Sequence, residues 1–359
     1  MPDADRPAVP DPDADLAWCH EAVQGVSRTF ALTVDTLDEP MSSYICLGYL
    51  VCRIADTVED ADHIAPDEQA GLLREFDAAL DPEDDTTATE FRASVDQYLP
   101  PEGERSADWE VVAEVERVFA TFEGLPPEVR RAVVPPAREM ATGMAKFVER
   151  YADEGGLRIE TRSELEEYCY YVAGTVGNLI TNLVTTLGNV DDERTERLYE
   201  VAEEFGLLLQ LVNVAKDVHD DYTEENNVYL PAEWLAEQGV DQDAVVAPEN
   251  REGTANVVSR TAGFARGFLD GAQTYLEHVP LVEGNTLAAW TIPYLLAVGT
   301  LRELSAHPER AVTGEGVKVS REEVFAVVTA AHEHGRDALP RLRESIATQP
   351  FHRAPSTAD

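Results

Sequence analysis

Leu207-Leu-Leu-Gln210-Leu-Val-Asn213-Val-Ala-Lys216-Asp217-Val-His-Asp220-Asp221-Tyr222 decides how the chain is read. Gln210, Asn213, Asp217 and Asp221 recur at helical spacing and fall within about 80° of one another at ~100° per residue. Leu208, Leu209, Leu211 and Val212 make the other sides apolar. A surface helix is polar over a broad face. A narrow polar stripe on an otherwise oily helix predicts a buried helix turned toward a wet cavity. A solvated face, or amides satisfied within a core, is the plainer explanation of the same stripe.

Working outward, helical phasing recurs over roughly 15–37, 41–62, 66–80, 87–98, 108–123, 126–152, 161–187, 192–222, 255–278, 284–306 and 320–346. Pro40, Pro126, Pro231, Pro280 and Pro308 punctuate these segments. No β-alternation of useful length and no repeat of fixed period interrupts them. Stretches 81–88 and 238–254 read as loops, and the Pro- and Asp-bearing ends, 1–14 and 347–359, as disordered tails. The expectation is one all-α domain over 15–346 with about ten helices, too many for a simple four-helix bundle.

Two further helical faces carry polar chemistry. In Tyr49-Leu-Val-Cys-Arg53-Ile-Ala-Asp56-Thr-Val-Glu59-Asp60, the residues Tyr49, Cys52, Arg53, Asp56 and Asp60 occupy an arc of about 100°. Leu47, Leu50, Val51, Ile54 and Val58 lie opposite. Carboxylates one turn apart repel unless a cation or solvent compensates, though a solvated acidic face would look the same. In Tyr168-Cys-Tyr-Tyr171-Val-Ala-Gly174-Thr-Val-Gly177-Asn178, the residues Tyr168, Tyr171, Thr175 and Asn178 share a face. Each interior glycine costs a helix about 1 kcal/mol relative to alanine. Gly174 and Gly177 therefore suggest close approach by another helix or by a bulky ligand.

Composition narrows the possible partners. The 359 residues hold 69 Asp and Glu against 28 Lys and Arg, a net charge of −41. Only Lys146, Lys216 and Lys318 are lysines. Such a chain repels nucleic-acid phosphates and anionic membranes. A dense carboxylate surface suits high salt, where self-repulsion is screened, or else a specific basic partner. Cys19, Cys46, Cys52 and Cys169 have neither disulfide-framework nor zinc spacing. No secretory leader is recognisable, and the longest largely apolar stretch, Leu287–Thr300, is short of the ~20 residues that span a bilayer. A soluble, cytoplasmic protein without a transmembrane segment is expected.

Two acidic helical motifs about 160 residues apart suggest two walls of one cavity. Carboxylates cannot bind a diphosphate directly, but Mg²⁺ can bridge them, because it takes one or two carboxylates and completes its octahedron with phosphate oxygens and water. Bridging cations also neutralise the charge of a departing diphosphate. Arg28, Arg53 and Lys216 would add fixed positive charge beside it.

Taken in order, Ser27-Arg28-Thr29-Phe30, Arg53-Ile-Ala-Asp56-Thr-Val-Glu59-Asp60, the Tyr168–Gly177 motif and Gln210…Asn213…Asp217…Asp221 resemble the squalene/phytoene synthase family over about residues 15–345. The resemblance is nearest the squalene-forming branch. It implies the all-α isoprenoid synthase fold with a central cavity, and head-to-head condensation of two farnesyl diphosphates to presqualene diphosphate, followed by NADPH-dependent reduction to squalene. It implies that Asp56 and Asp60, with Glu59 less directly, hold Mg²⁺, as do Asp217 and Asp221 with Asn213 and Gln210 beside them. Ser27, Arg28, Phe30 and Arg53 would match residues around the diphosphate, and Tyr168 the tyrosine of proton transfer.

Phe30, Tyr49 and Tyr171 could then stabilise cations through their ring faces. Val172, Ala173, Val176, Leu179 and Leu287–Val298 are candidates for an apolar tunnel, or plain core. Gly316-Val-Lys318-Val weakly resembles the segment linked to the nicotinamide cofactor, and no GxGxxG fingerprint is present. Lys216 stands where the family often has Arg, which keeps the charge and loses bidentate geometry. An oily product would favour peripheral membrane contact at release. Dehydrosqualene or phytoene formation without reduction is the nearest alternative. A chain elongase would show Asp-Asp-x-x-Asp, which Asp56–Asp60 does not match. An inert helical interaction module is the most distant.

Overall fold

The computed structural model describes residues 12–188, 190–280 and 285–353. Within them lie α1 (Pro12–Val26), α2 (Arg28–Thr36), α3 (Met41–Glu59), α4 (Pro66–Leu80), α5 (Ala88–Val95), α6 (Ala107–Ala113), α7 (Val115–Glu123), α8 (Pro127–Arg150) and α9 (Arg162–Cys169). The chain continues through α10 (Thr175–Leu187), α11 (Asp192–Lys216), α12 (Val218–Glu224), α13 (Ala232–Glu237), α14 (Arg251–Arg266), α15 (Leu269–His278), α16 (Thr286–Ala306), α17 (Arg321–Glu333) and α18 (Leu339–Thr348). The expected all-α class is borne out. Among the described residues the only β-type pairing outside helices is a single bridge between Arg158 and Val228.

The helices are shorter than their phasing suggested, because local capping beats continued periodicity. Ser27 ends the expected 15–37 segment by accepting Phe30 N–H at 3.2 Å, which starts α2. The 192–222 segment breaks at Asp217, whose φ of −104° and ψ of 11° leave the helical region. Gly267 and Phe268 separate α14 from α15, and 334–338 separate α17 from α18. The 238–254 loop contains two short 3₁₀ turns, and α14 already begins at Arg251. Neither expected tail is as long as its composition implied. Helix α1 starts at Pro12, while 1–11 lie outside the described residues. At the other end the chain is folded through Arg353: Phe351 N donates to Glu323 Oε1 at 2.8 Å. Residues 354–359 lie outside the described set.

Packing brings the acidic motifs into one body. Helix α8 packs against both α3 and α10, and α10 packs against α11. The layer α8–α10 therefore joins the helix of the first acid row to the helix leading into the second. The crossing of α10 on α11 is a backbone-to-backbone contact. A Cβ at Gly177 would stand 2.3 Å from Ala202 O, and one at Gly206 would stand 2.1 Å from Ala173 O. Of the two readings of Gly174 and Gly177, close approach by a helix is met at both, since a Cβ at Gly174 would stand 3.2 Å from Leu207 Cδ1 of α11. Just before the crossing, Tyr170–Gly174 form a π turn, so the expected 161–187 helix is interrupted. Thr175 N bonds Tyr170 O and Thr175 Oγ1 donates to Tyr171 O at 2.6 Å, which satisfies the widened turn.

Overpacking at such a crossing costs about 1–3 kcal/mol. Gly206→Ala should lower urea-denaturation stability by at least that amount. Gly263→Ala, on α14 with nothing within 4 Å of the new methyl, should be neutral or gain about 0.5–1 kcal/mol. Equal stabilities for the two variants would contradict the crossing geometry.

Candidate active site

The C-terminal end of α3 is held in place before it does any chemistry. Gln69 of α4 is buried and its Nε2 donates to Val58 O, Glu59 O and Ala61 O at 3.2, 3.0 and 2.8 Å. Val58 O and Ala61 O also accept from Ala61 N and Ile64 N, at 3.4 and 3.1 Å, while Glu59 O is of the kind that a helix end leaves without an intrahelical partner. Arg53 pairs with Asp56 one turn on, and its Nε donates to Asp108 Oδ1 of α6 at 2.7 Å. Phe30 stacks on Tyr49 with centroids 4.0 Å apart, and burial pushes the Tyr49 phenol up to about 12. Ser27, Phe30, Tyr49 and Arg53 thus gather where the start of α2 meets the middle of α3. Arg28 is exposed there, without an ion pair among the described residues.

The two acid rows face each other. Burial, then the charges of Asp56 and Glu225, hold Asp60 far above the usual carboxylate range. Burial, then Glu225 and Asp217, do the same to Asp221. Glu225, just beyond α12, is pushed up to about 7 by burial and by the Asp56 charge, against the favourable bond from Asn227. Asp56 is raised by burial and by Asp108, although Arg53 offsets part of this. A chain of contacts joins the two rows: Glu59 Oε1 to Tyr168 Oη at 3.2 Å, Tyr168 Oη to Tyr229 Oη at 3.3 Å, Tyr229 Oη to Asn227 Nδ2 at 3.1 Å, and Asn227 Nδ2 to Glu225 Oε2 at 3.4 Å. Val214, Val218, Asp221, Asn227 and Tyr229 line a gap beside them that is too tight to hold a water molecule.

This donor set suits hard divalent cations. Asp60 and Asp221 have no ion pair among the described residues, and all the crowded donors are oxygens. Nor, among the described residues, do three His, Cys, Asp or Glu side chains form a ready-made metal cage. One or two carboxylates per ion, completed by phosphate and water, is the pattern of Mg²⁺. Lys216 pairs with its neighbour Asp217. Asn213 is exposed and Gln210 half-buried on the same stripe.

Glu59 has a different partner from the one expected. It is 5 % exposed, and each of its carboxylate oxygens lies 3.2 Å from Tyr168 Oη. Tyr168 itself is 3 % exposed, with its ring stacked on Tyr229 at 5.0 Å and edge-on to Phe147 at 5.2 Å. Burial, then the Glu59 charge, hold its phenol well above the usual range. Tyr171 differs from its expected face-mate: its ring presses on Gly143, where a Cβ would stand 2.2 Å away, and carries Lys146 Nζ at 5.4 Å. Lys146 thus already occupies one face of the expected cation stabiliser.

The tunnel candidates divide. Val172 is buried core, and Ala173 sits at the α10–α11 crossing through its carbonyl. The Ala173 side chain is only partly buried. Val176 is half-buried against the core. Lys318 is exposed, but its loop lies against α12, where a Cβ at Gly314 would stand 3.0 Å from His219 Cε1. The weakly matched cofactor segment is therefore adjacent to the second acid row.

Sequence reasoning missed Gln69, Asp108, Glu225, Asn227 and Tyr229. Glu225 had a signal, being the next term of the series 213, 217, 221. The others act through contacts far along the chain and leave no local mark.

The raised Glu225 carboxyl makes a pH-dependent statement about the metal-free chain. Its folded value of about 7 exceeds the ordinary 4.5, so the folded state holds the proton more tightly. Stability then falls as pH rises from about 4.5 to about 7 and stays reduced above it. Glu225→Gln should be more stable than the parent at pH 8 by about 1–3 kcal/mol, with the gap closing by pH 4. A gap that does not change with pH would contradict the crowding of charge.

The sequence profile of the squalene/phytoene synthase family matches residues 23–323. Squalene synthase of Eremothecium gossypii is 28% identical over 290 residues, 80% of this chain and 62% of that protein. Squalene synthase ERG9 of Candida albicans is 28% identical over 301 residues, 83% of this chain and 63% of that protein. The chain thus spans 62–63% of the length of these relatives. A solved complex of TcSQS with the ligand BPH1237 superposes with a TM-score of 0.78 at 23% identity, covering 97% of this chain and 94% of that one. A dehydrosqualene synthase in complex with a ligand gives 0.60 at 22% identity, covering 90% and 98%. These likenesses show the fold, the isoprenoid synthase fold. With the profile matched over 23–323, the chain belongs to the squalene/phytoene synthase family.

Proposed function

We propose that this chain condenses two farnesyl diphosphates head to head, making presqualene diphosphate and then, with NADPH, squalene. The observation that carries the reading is the closeness of the α3 and α12 carboxylates, linked through the buried Tyr168–Tyr229 pair. Family membership and the names of the relatives support the substrate class.

Asp56 and Asp60 from one side, and Asp217 and Asp221 from the other with Asn213 and Gln210 alongside, are the residues that would hold Mg²⁺. When bound, Mg²⁺ neutralises the diphosphate and makes it a leaving group. Arg28, Arg53 and Lys216 add fixed cations beside the diphosphate, and Ser27 and the Phe30–Tyr49 stack border the same junction. The buried apolar walls exclude water that would quench an allylic cation.

Tyr168 is a neutral phenol in this setting, because burial and Glu59 both disfavour its anion. Its oxygen can take a proton from the condensing carbon while its own proton passes to the Glu59 carboxylate, 3.2 Å away, which Mg²⁺ held by Asp56 and Asp60 would keep ionised against its burial. Phenolate never has to form. The exposed Lys318 ammonium and the neighbouring His219 ring suit the phosphate end of a dinucleotide near the second row. NADPH, when bound, supplies hydride for the final reduction. No helix among the described residues is long and apolar enough to cross a membrane. Release of an oily product at a membrane surface belongs to this proposal, with Phe325, 74 % exposed on α17, as the side chain that would meet it.

The test is to incubate the chain with farnesyl diphosphate and Mg²⁺, with and without NADPH, and to read product mass. Squalene should form only with NADPH. A dehydrosqualene product regardless of NADPH would remove the reduction step, and unconsumed substrate would refute the reading altogether. Asp56→Asn and Asp217→Asn should each lower turnover by at least about 100-fold with the fold intact by circular dichroism. Normal product formation by either variant would remove that residue from the cation site. Tyr168→Phe should slow formation of the cyclopropyl intermediate, and full activity there would exclude the proton transfer described.

A further inference from the structure

The segment after α12 is laced to the segment that leads into α9. Val228 N donates to Leu157 O at 2.9 Å, Ile159 N donates to Val228 O at 3.1 Å, and Ala232 N donates to Ile159 O at 2.9 Å. Side chains complete the lacing. Arg158, only 7 % exposed, donates Nη2 to Asn226 Oδ1 at 2.9 Å and Nη1 to Leu157 O at 3.0 Å, and also reaches Asn226 O. Asn226 adopts φ 57°, a left-handed conformation that asparagine tolerates better than most residues. Gly156 lets it approach: a Cβ there would stand 2.1 Å from Asn226 O.

This lacing fixes Asn227 and, through it, Tyr229. Asn227 is 5 % exposed. Its Oδ1 accepts Leu157 N–H at 2.8 Å. That donor leaves no choice about which end of the amide is oxygen, so Nδ2 must face the other way. There it lies 3.1 Å from Tyr229 Oη. Tyr229 Oη, accepting from Asn227, lies 3.3 Å from Tyr168 Oη, a contact in which either phenol can donate, and among its described partners only Tyr168 Oη can accept the Tyr229 proton. A phenol that accepts from Tyr229 directs its single proton toward Glu59.

We infer that Tyr229, oriented by Asn227, is a positioning residue that fixes the direction of the Tyr168 hydroxyl proton toward Glu59. This rests on the reading of Tyr168 given above and adds a second phenol and an amide that belong to neither acid row. Tyr229 does not touch the reacting carbon in this scheme. It removes the alternative in which the Tyr168 proton points at Tyr229 and the acceptor orbital is turned away from the substrate.

Tyr229→Phe deletes one oxygen and keeps the stacked ring. It should lower kcat for farnesyl diphosphate consumption by about tenfold or more. KM, and the affinity for inorganic pyrophosphate measured with Mg²⁺, should stay within about threefold of the parent. Asn227→Ala should behave alike, and the Asn227→Ala/Tyr229→Phe double variant should be no slower than the slower single. Tyr168→Phe/Tyr229→Phe should likewise be no slower than Tyr168→Phe alone, a comparison that survives if Asn227→Ala does not fold. A Tyr229→Phe kcat within twofold of the parent, or losses that multiply in the Tyr168→Phe/Tyr229→Phe pair, would overturn the inference. A parent chain that leaves farnesyl diphosphate unconsumed fails the reaction itself. An active parent with an equally active Tyr229→Phe fails the positioning alone.

Discussion

Crowded carboxylates in a low-dielectric hollow are the constraint on which the rest of the molecule depends. Two like charges about 6 Å apart at an effective dielectric of ~20 repel by about 3 kcal/mol. Asp56, Glu59, Asp60, Asp221 and Glu225 are all driven toward their protonated forms by burial and, for each, by at least one neighbouring acid charge. Arg53 and Lys216 offset only part of this, since each is already paired, with Asp56 and Asp108 or with Asp217. A fold that keeps such a cluster holds it against its own repulsion.

The two rows could not meet without the layer between them. Helices α8 and α10 join α3 to α11, and the glycines at 177 and 206 bring α10 and α11 to backbone contact. The π turn at Tyr170–Gly174 lies between the tyrosine and that crossing. Tyr168, ahead of that turn, meets Glu59, Tyr229 and Phe147, while Tyr171, within it, presses on Gly143 of α8. Gln69 and the Leu157–Asn227 bond then secure the ends of the two acid-bearing segments. The surface, by contrast, is free to be acidic, because its repulsion is screened by salt while that of the hollow is not.

The fold class and both acid rows were legible because they depend on periodicity alone. Asp56 and Asp60, and Asp217 and Asp221, recur one turn apart on apolar helices, and the structure keeps each pair on one side. Glu59 was legible as an acid but not as the partner of Tyr168, because that contact joins residues 109 positions apart. The cap at Ser27 and the breaks at Asp217 and Gly267 were hidden by phasing that continues across them. The packing of the Ala173 carbonyl on Gly206 of another helix left no mark in the local sequence. Asn227 and Tyr229 follow a helix end, where no periodicity applies. Their places come from pairing with 157–159, which only the folded chain reveals.

The most direct measurement is calorimetric titration of inorganic pyrophosphate into the chain, with and without Mg²⁺, for the parent and for Asp60→Asn and Asp221→Asn. If both rows serve one cation-bridged diphosphate, binding appears only with Mg²⁺, and each substitution, on either side of the hollow, weakens it by a similar factor. Binding that persists without Mg²⁺, or that survives the loss of one row unchanged, would contradict the account.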